Sequence, residues 1–397
     1  MSNLSLLLIE NADLFSPAPL GPRTVSVVGG KISGIHPAGS AKDLRLHLER
    51  LCPKVTVLDA EGGKVLPGII DRHVHFNGAG GEGGPRYRTP PLQLSAFIRA
   101  GVTSAVGLTG TDGTCRGLRD LLMKARGLEE EGLSTWILTG SYALPSPTLT
   151  GGVMDDLCLI DKVIGLKIAL SDHRSAHPTV DELRRAVSEA RVGGMLAGKA
   201  GTVCVHMGSE APAFEPLLAA VDGTDIPLAQ FAPTHVSRSE ALLEKAVEYG
   251  LRGGNLDLTA APGEKPVFGI PTHRAVKHLL SGGVCPERIT LSSDGNGSMP
   301  RFDAEGKLTG MGIGPIESVL DCILELMEDP EVGAERAIGI ATSHVADQLS
   351  LPHKGRIERG RDADILVLDD RNALRHVVAK GRVMMKDGSV SVRGTFE

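Results

Sequence analysis

The stretch Leu66-Pro67-Gly68-Ile69-Ile70-Asp71-Arg72-His73-Val74-His75-Phe76-Asn77 runs straight on into Gly78-Ala79-Gly80-Gly81-Glu82-Gly83-Gly84, and it decides how the rest of the chain is read. Ile69 and Ile70 sit in a short apolar run bounded by Pro67-Gly68, the pattern of a buried strand. Side chains alternate along a strand, so His73 and His75 are expected to face the same way. Two imidazoles on one face at the end of a buried strand make half of a metal site. The plainer alternative is a pair of hydrogen-bonded histidines with no metal, and only the remainder of the chain decides between them.

The 397 residues are enough for a large domain and a smaller one. A hydrophobic share of 41%, a charged share of 23% and a mean hydropathy of +0.02 describe an ordinary globular chain. A net charge of -6 gives no basic footprint for nucleic acid or a membrane surface. Aromatics at 3% leave no stacking platform for bases. Cys52, Cys115, Cys158, Cys204, Cys285 and Cys322 are scattered without a CxxC pair, which fits reduced thiols. No positive leader and no long apolar span is read, so a cytoplasmic protein is expected.

From Leu66 onward, apolar strands alternate with amphipathic segments. Candidate strands are 67–73, Thr103–Leu108, Thr135–Tyr142, Val163–Leu170, Thr202–Met207, Ala229–Val236, Asn255–Thr259 and Ile289–Asp294. Gly117–Glu131, Val180–Val192 and Ser239–Tyr249 read as helices between them. Eight such strands point to an α/β fold, a (β/α)8 TIM barrel over residues 66–350, in preference to a doubly wound sheet. Residues 1–65 read as a small antiparallel sheet, including a hairpin turning at Gly29-Gly30. β texture returns at Gly355–Ile357, Ala363–Leu368 and Arg382–Met385. One small β-sandwich built from 1–65 and 351–397 is therefore expected.

In a barrel, catalytic side chains sit at the carboxyl ends of the strands. Those positions give His73 and His75, Lys167 within Val163–Leu170, His206, His235 and Asp294. A lysine inside an apolar strand is costly as an ammonium, and burial lowers its pKa. It could be carbamylated by carbon dioxide into an anionic two-oxygen ligand, paired with Asp161 or Asp172, or poised for a Schiff base. Four histidines and a carboxylate at one mouth amount to zinc-type coordination. The other histidines read as surface or structural, with His173 alone expected near the site. Cys204, two residues before His206, reads as a small core residue.

These residues resemble the amidohydrolase superfamily, and within it the isoaspartyl (β-aspartyl) dipeptidase family. The likeness runs through Pro67–His75, Gly80-Gly81-Glu82, Gly110-Thr111-Asp112, Tyr142, Ser171–Ser175, His206-Met207-Gly208, Pro233–Val236 with Arg238, Ser292–Ser298 and Ala363–Asp369. It implies two zinc ions, with His73, His75 and Asp294 holding one and His206 and His235 the other. Carbamylated Lys167 would bridge them. It also implies substrate contacts from Glu82, Thr111, Tyr142, Arg174, Arg238 and Ser298, and a homo-oligomer, an octamer by resemblance.

The roles are chemically coherent. Glu82 offers an anion for an α-amino group, and Arg174 and Arg238 offer bidentate bonds to carboxylates. Gly78–Gly84 reads as a flexible loop carrying Glu82. The expected reaction is hydrolysis of β-aspartyl dipeptides by zinc-activated water, with Asp294 as general base and Tyr142 at the oxyanion. The alternatives are a sister hydrolase of cyclic amides or N-acyl amino acids, and a non-catalytic scaffold on the same barrel.

Overall fold

The computed structural model describes residues 5–51, 55–264, 266, 269–302 and 308–397. Eight parallel strands form one sheet in sequence order: Ile69–Val74, Val102–Gly107, Ser134–Gly140, Val163–Leu170, Thr202–Met207, Phe231–Thr234, Leu256–Thr259 and Ile289–Ser292. Helices Leu94–Arg99, Leu118–Glu131, Val153–Leu159, Val180–Ala197, Glu215–Val221, Glu240–Leu251, Thr272–Ser281 and Ser318–Glu328 follow the strands in turn. Their apolar faces and the outer faces of the strands share one large core, including Leu121, Leu128, Val187, Leu243, Leu279 and Ile323. The fold is the expected (β/α)8 barrel.

Local chemistry sets the element ends. Thr179 accepts the Glu182 amide while the Glu182 carboxylate accepts the Thr179 amide, a capping box that starts the longest helix. That helix continues past Val192 to Ala197 and stops at Gly198, whose left-handed backbone ends it. The sixth strand is shorter than 229–236, because Leu228–Gln230 forms a 3-10 turn.

The barrel is plugged from below. Helix Ser343–Gln348 and the turn after it place Val345, Ala346, Leu349 and Leu351 against Ile70, Val106, Leu108, Leu138, Ile164 and Cys204. Cys204 thus belongs to the interior core, as read from sequence. The seam between the last and first strands carries no continuous ladder among the described residues. Instead the Ile70 and Leu291 amides donate to Ala341 and Ile340 carbonyls, each at 2.9 Å, and a single bridge joins Val74 to Gly295.

Both termini build a second sheet of nine strands. Lys64–Pro67 lies at its centre, parallel to Leu6–Phe15 and antiparallel to Ile365–Leu368. The Gly29-Gly30 hairpin is present, with Val28 opposite Lys31. The sheet curls until that turn meets the one at Lys380-Gly381. A Cβ on Gly30, whose φ is +83°, would lie 2.8 Å from the Lys380 carbonyl oxygen. Leu7, Ile9, Val25, Leu58, Val65, Ile365 and Val378 fill the interior.

Two expectations here are corrected. The amino-terminal part is not purely antiparallel: helix Ala41–Leu51 crosses over, and Val55–Asp59 returns parallel to Leu6–Phe15. Leu44 and Leu48, one turn apart among charged residues, supply the narrow apolar stripe that packs on Leu6 and Leu8. Gly355–Ile357 is not a strand, whereas Leu374–Ala379 is.

Candidate active site

The first barrel strand bulges where the site begins. Asp71 pairs with Ala105 but Val74 with Gly107, so three steps on one strand match two on its neighbour. Arg72 reaches Thr290 Oγ1 at 3.1 Å and Gln348 Oε1 at 2.5 Å, while His73 and His75 both meet Asp294. The His73 and His75 Nε2 atoms lie 3.4 and 3.1 Å from Asp294 Oδ1. His73, His235 and Asp294 each bring one ligand-type atom within 4.8 Å of the others. The His73 and His235 rings are 5.1 Å apart, and those of His235 and His206 4.7 Å.

Lys167 stands beneath these groups and is fully buried. Its Nζ is 3.3 Å from His73 Nε2 and 3.8 Å from Cys204 Sγ. Among the described residues no carboxylate forms an ion pair with it, so neither Asp161 nor Asp172 is its partner. Burial lowers the Lys167 pKa. Burial, and next the charge of Lys167, holds His73 well below the ordinary imidazole range; burial dominates at His206 and His235 as well. Burial alone would raise the Asp294 carboxyl, but His235, His75 and Lys167 outweigh it and hold it at about 2. Neutral imidazoles around an ionised carboxylate are a donor set that suits a divalent cation.

His206 is turned differently. Its Nδ1 lies 2.6 Å from the Tyr142 hydroxyl and its Nε2 3.0 Å from Asp172 Oδ2, so both ring nitrogens are engaged outside the three-residue cluster. Asp172 also receives Arg174 through Nε and Nη2, each at 2.8 Å. Burial opposes ionisation of Asp172, but the bonds from Arg174 and His206 prevail and keep it well below the usual carboxylate range.

Above this floor opens a cavity of about 560 Å³. Glu82 is its anionic wall: Oε1 accepts from Thr111 Oγ1 at 3.0 Å and faces Arg174 Nη1 at 3.3 Å, and Oε2 accepts from Ser298 Oγ at 3.2 Å. Arg238 Nη2 lies 3.4 Å from His206 Nε2 on the same cavity. His173 is on the rim, with its side chain 86% exposed. The glycine stretch is not a slack loop. Thr89 and Ala79 exchange backbone and side-chain bonds, and Gly81 N–H donates to Tyr87 O at 3.0 Å. A Cβ on Gly80 would sit 2.2 Å from that same Tyr87 oxygen, so only glycine allows the approach that aims Glu82.

Several neighbours of the site escaped the sequence reading. Thr259 Oγ1 lies 2.7 Å from His235 Nδ1. It stands at the end of the seventh strand, the one signal that could have found it. Met299 and Met311 line the cavity from a hairpin, Ser298–Phe302 with Leu308–Ile313. The polar stretch 303–307 between the strands, with its Gly306, was the signal that could have found it.

Comparison with known proteins places this arrangement. The sequence model of the amidohydrolase family matches residues 64–391. The chain belongs to the amidohydrolase family. Within it, the chain is similar to the crystal structure of the β-aspartyl dipeptidase from Fervidobacterium islandicum AW-1 in complex with β-Asp-Leu. Identity is 40%, coverage 97% of this chain and 98% of that one, and the TM-score 0.88. A second structure of that dipeptidase agrees at 39% identity and a TM-score of 0.86, with the same coverage. Adenine deaminase 2 of Agrobacterium fabrum is 26% identical over 382 residues, which is 94% of this amidohydrolase and 55% of the deaminase. The chain thus spans about half the length of the curated deaminases it matches. No helix among the described residues is long and apolar enough to cross a membrane.

Proposed function

We propose that this amidohydrolase is a metallo-dipeptidase that hydrolyses β-aspartyl dipeptides. The observation that carries the reading is Glu82, held by Thr111, Ser298 and Arg174 in the cavity above the histidine, lysine and aspartate floor. It sits in a chain 40% identical to a β-aspartyl dipeptidase over nearly its whole length. Glu82 takes the α-amino group, and Arg174 and Arg238 take the two carboxylates. His73, His75 and Asp294 would hold one zinc ion, and His206 and His235 a second. Lys167, carbamylated, would bridge the two. His206 joins only by giving up a bond to Tyr142 or Asp172. The ions supply Lewis-acid activation of water and polarisation of the scissile carbonyl.

The residues themselves manage protons and charge. Asp294, ionised at neutral pH, accepts a proton from the attacking water and delivers it to the leaving amine. Burial pushes the Tyr142 phenol up, so it stays protonated and can donate to the developing oxyanion. The reading further includes a homo-oligomer in the cytoplasm, and a division into a barrel of 66–350 and a terminal unit of 1–65 with 351–397. Zinc-loaded protein is expected to cleave β-Asp-Leu and to leave α-Asp-Leu nearly untouched. Faster turnover of α-Asp-Leu, dihydroorotate, a hydantoin or adenine would overturn the assignment.

A further inference from the structure

The first and last barrel strands deliver His73, His75 and Asp294, yet among the described residues they share no continuous backbone ladder, only the Val74–Gly295 bridge. Side chains fill the gap. The Asp71 carboxylate accepts the His73 amide at 3.2 Å, the Ser293 amide at 3.2 Å and the Ser293 hydroxyl at 2.5 Å. Ser293 Oγ in turn accepts the Gly295 amide at 2.7 Å, and Gly295 O accepts the His75 amide at 2.9 Å. Every link lands beside a residue of the site: His73 and His75 on one strand, and both flanks of Asp294 on the other. Asp294 needs such anchoring, because its φ of +52° lies in the left-handed region, where a non-glycine residue is strained. Asp71 and Ser293 are 0% and 1% exposed and are absent from the lining of the cavity above the site, which places them behind the groups that face a substrate.

We propose that Asp71 and Ser293 are positioning residues whose side-chain clasp sets the spacing between the His73/His75 pair and Asp294, and thereby the affinity of the site for a divalent cation. This rests on the reading of those residues as metal ligands. Outer partners of a metal site commonly change its affinity about 10–100-fold when removed. Zinc binding to metal-free protein, measured by competition with a chromophoric chelator, is expected to weaken at least tenfold in Ser293→Ala and in Asp71→Asn. Ser293→Thr, which keeps the hydroxyl, is expected to restore it. Cobalt-loaded protein should show the altered geometry as a changed visible spectrum in the two weakened variants. A purely fold-supporting clasp would lower the melting temperature and leave zinc affinity and the cobalt spectrum as in the wild type, which overturns the proposal. Should Ser293→Ala fail to fold, the near-isosteric Asp71→Asn decides it alone. A wild-type protein that takes up no zinc overturns the metal reading and the clasp together.

Discussion

Lys167 and Lys354 are both buried, at 0% and 5% exposed, and they are treated in opposite ways. Lys354, just below the barrel, donates to Asp364 at 2.6 Å, to Asp362 at 2.9 Å and to Ser134 Oγ at 2.7 Å. Burial pushes its ammonium down, but the two carboxylates outweigh burial and raise its pKa. Lys167 has an imidazole and a thiol nearby and no ion-paired acid among the described residues, and its pKa falls. One lysine is a paired charge that ties the barrel to the terminal sheet. The other is a buried amine which, on the proposed reading, serves the metal site. A buried cation is therefore informative only together with its partners.

Replacement should separate the two most sharply in activity. Lys167→Ala is expected to lose dipeptide turnover by several orders of magnitude and to bind zinc poorly, while unfolding near the wild-type temperature. Acetate or propionate, filling the vacated space, should restore part of the rate. An alanine variant retaining wild-type zinc content and activity would make Lys167 structural, like Lys354.

The converse substitution tests stability. Lys354→Met leaves buried Asp364 without its cation and Asp362 with Lys31 alone, and breaking a buried pair in this way costs about 3–5 kcal/mol. Urea denaturation should show that loss, while folded variant keeps its kcat. A smaller effect is expected at the mouth: Arg238→Met should cut kcat/KM for β-Asp-Leu by about 1.5–3 kcal/mol, the value of a hydrogen bond to a charged group. Zinc content should not change. If zinc falls in step with kcat/KM, Arg238 serves the floor of the site and not the substrate.

The sequence reading reached the floor of the site because strand ends are a small set of positions and histidine and aspartate are conspicuous there. It could list three fates for Lys167 but not choose, because what surrounds a buried amine depends on strands far apart in the chain. Thr259 went unseen at an equally favoured position, since a threonine there looks like any β-branched residue. The parallel return of Val55–Asp59 was lost for a related reason. Leu44 and Leu48 make too short an apolar stripe to announce a helix until Leu6 and Leu8 are seen beneath them. Engagement of His206 by Tyr142 and Asp172 likewise depends on side-chain choices at the ends of three different strands.

The smallest effect, and the most direct test of the contrast, lies in the pH dependence of stability. Lys354 has a raised folded pKa, so its contribution is complete below the ordinary lysine value of about 10.4 and fades as pH rises through the folded value. For Asp362, burial is outweighed by Lys354 and Lys31 and the pKa is lowered. Its contribution is therefore complete above about 3.9 and fades as pH falls through the folded value. The difference in unfolding free energy between wild type and Lys354→Met should thus be level from about pH 5 to 9 and shrink on either side. Lys167 carries the opposite sign. With its folded pKa lowered, the unfolded chain binds the extra proton, so metal-free protein should gain stability as pH rises toward about 10.4. Lys167→Met should abolish that gain. Urea titrations of the metal-free wild type and both variants from about pH 3 to about pH 11 read both slopes at once. Parallel curves for the two variants would mean that Lys167 is paired in solution, and the contrast between the two lysines would be lost.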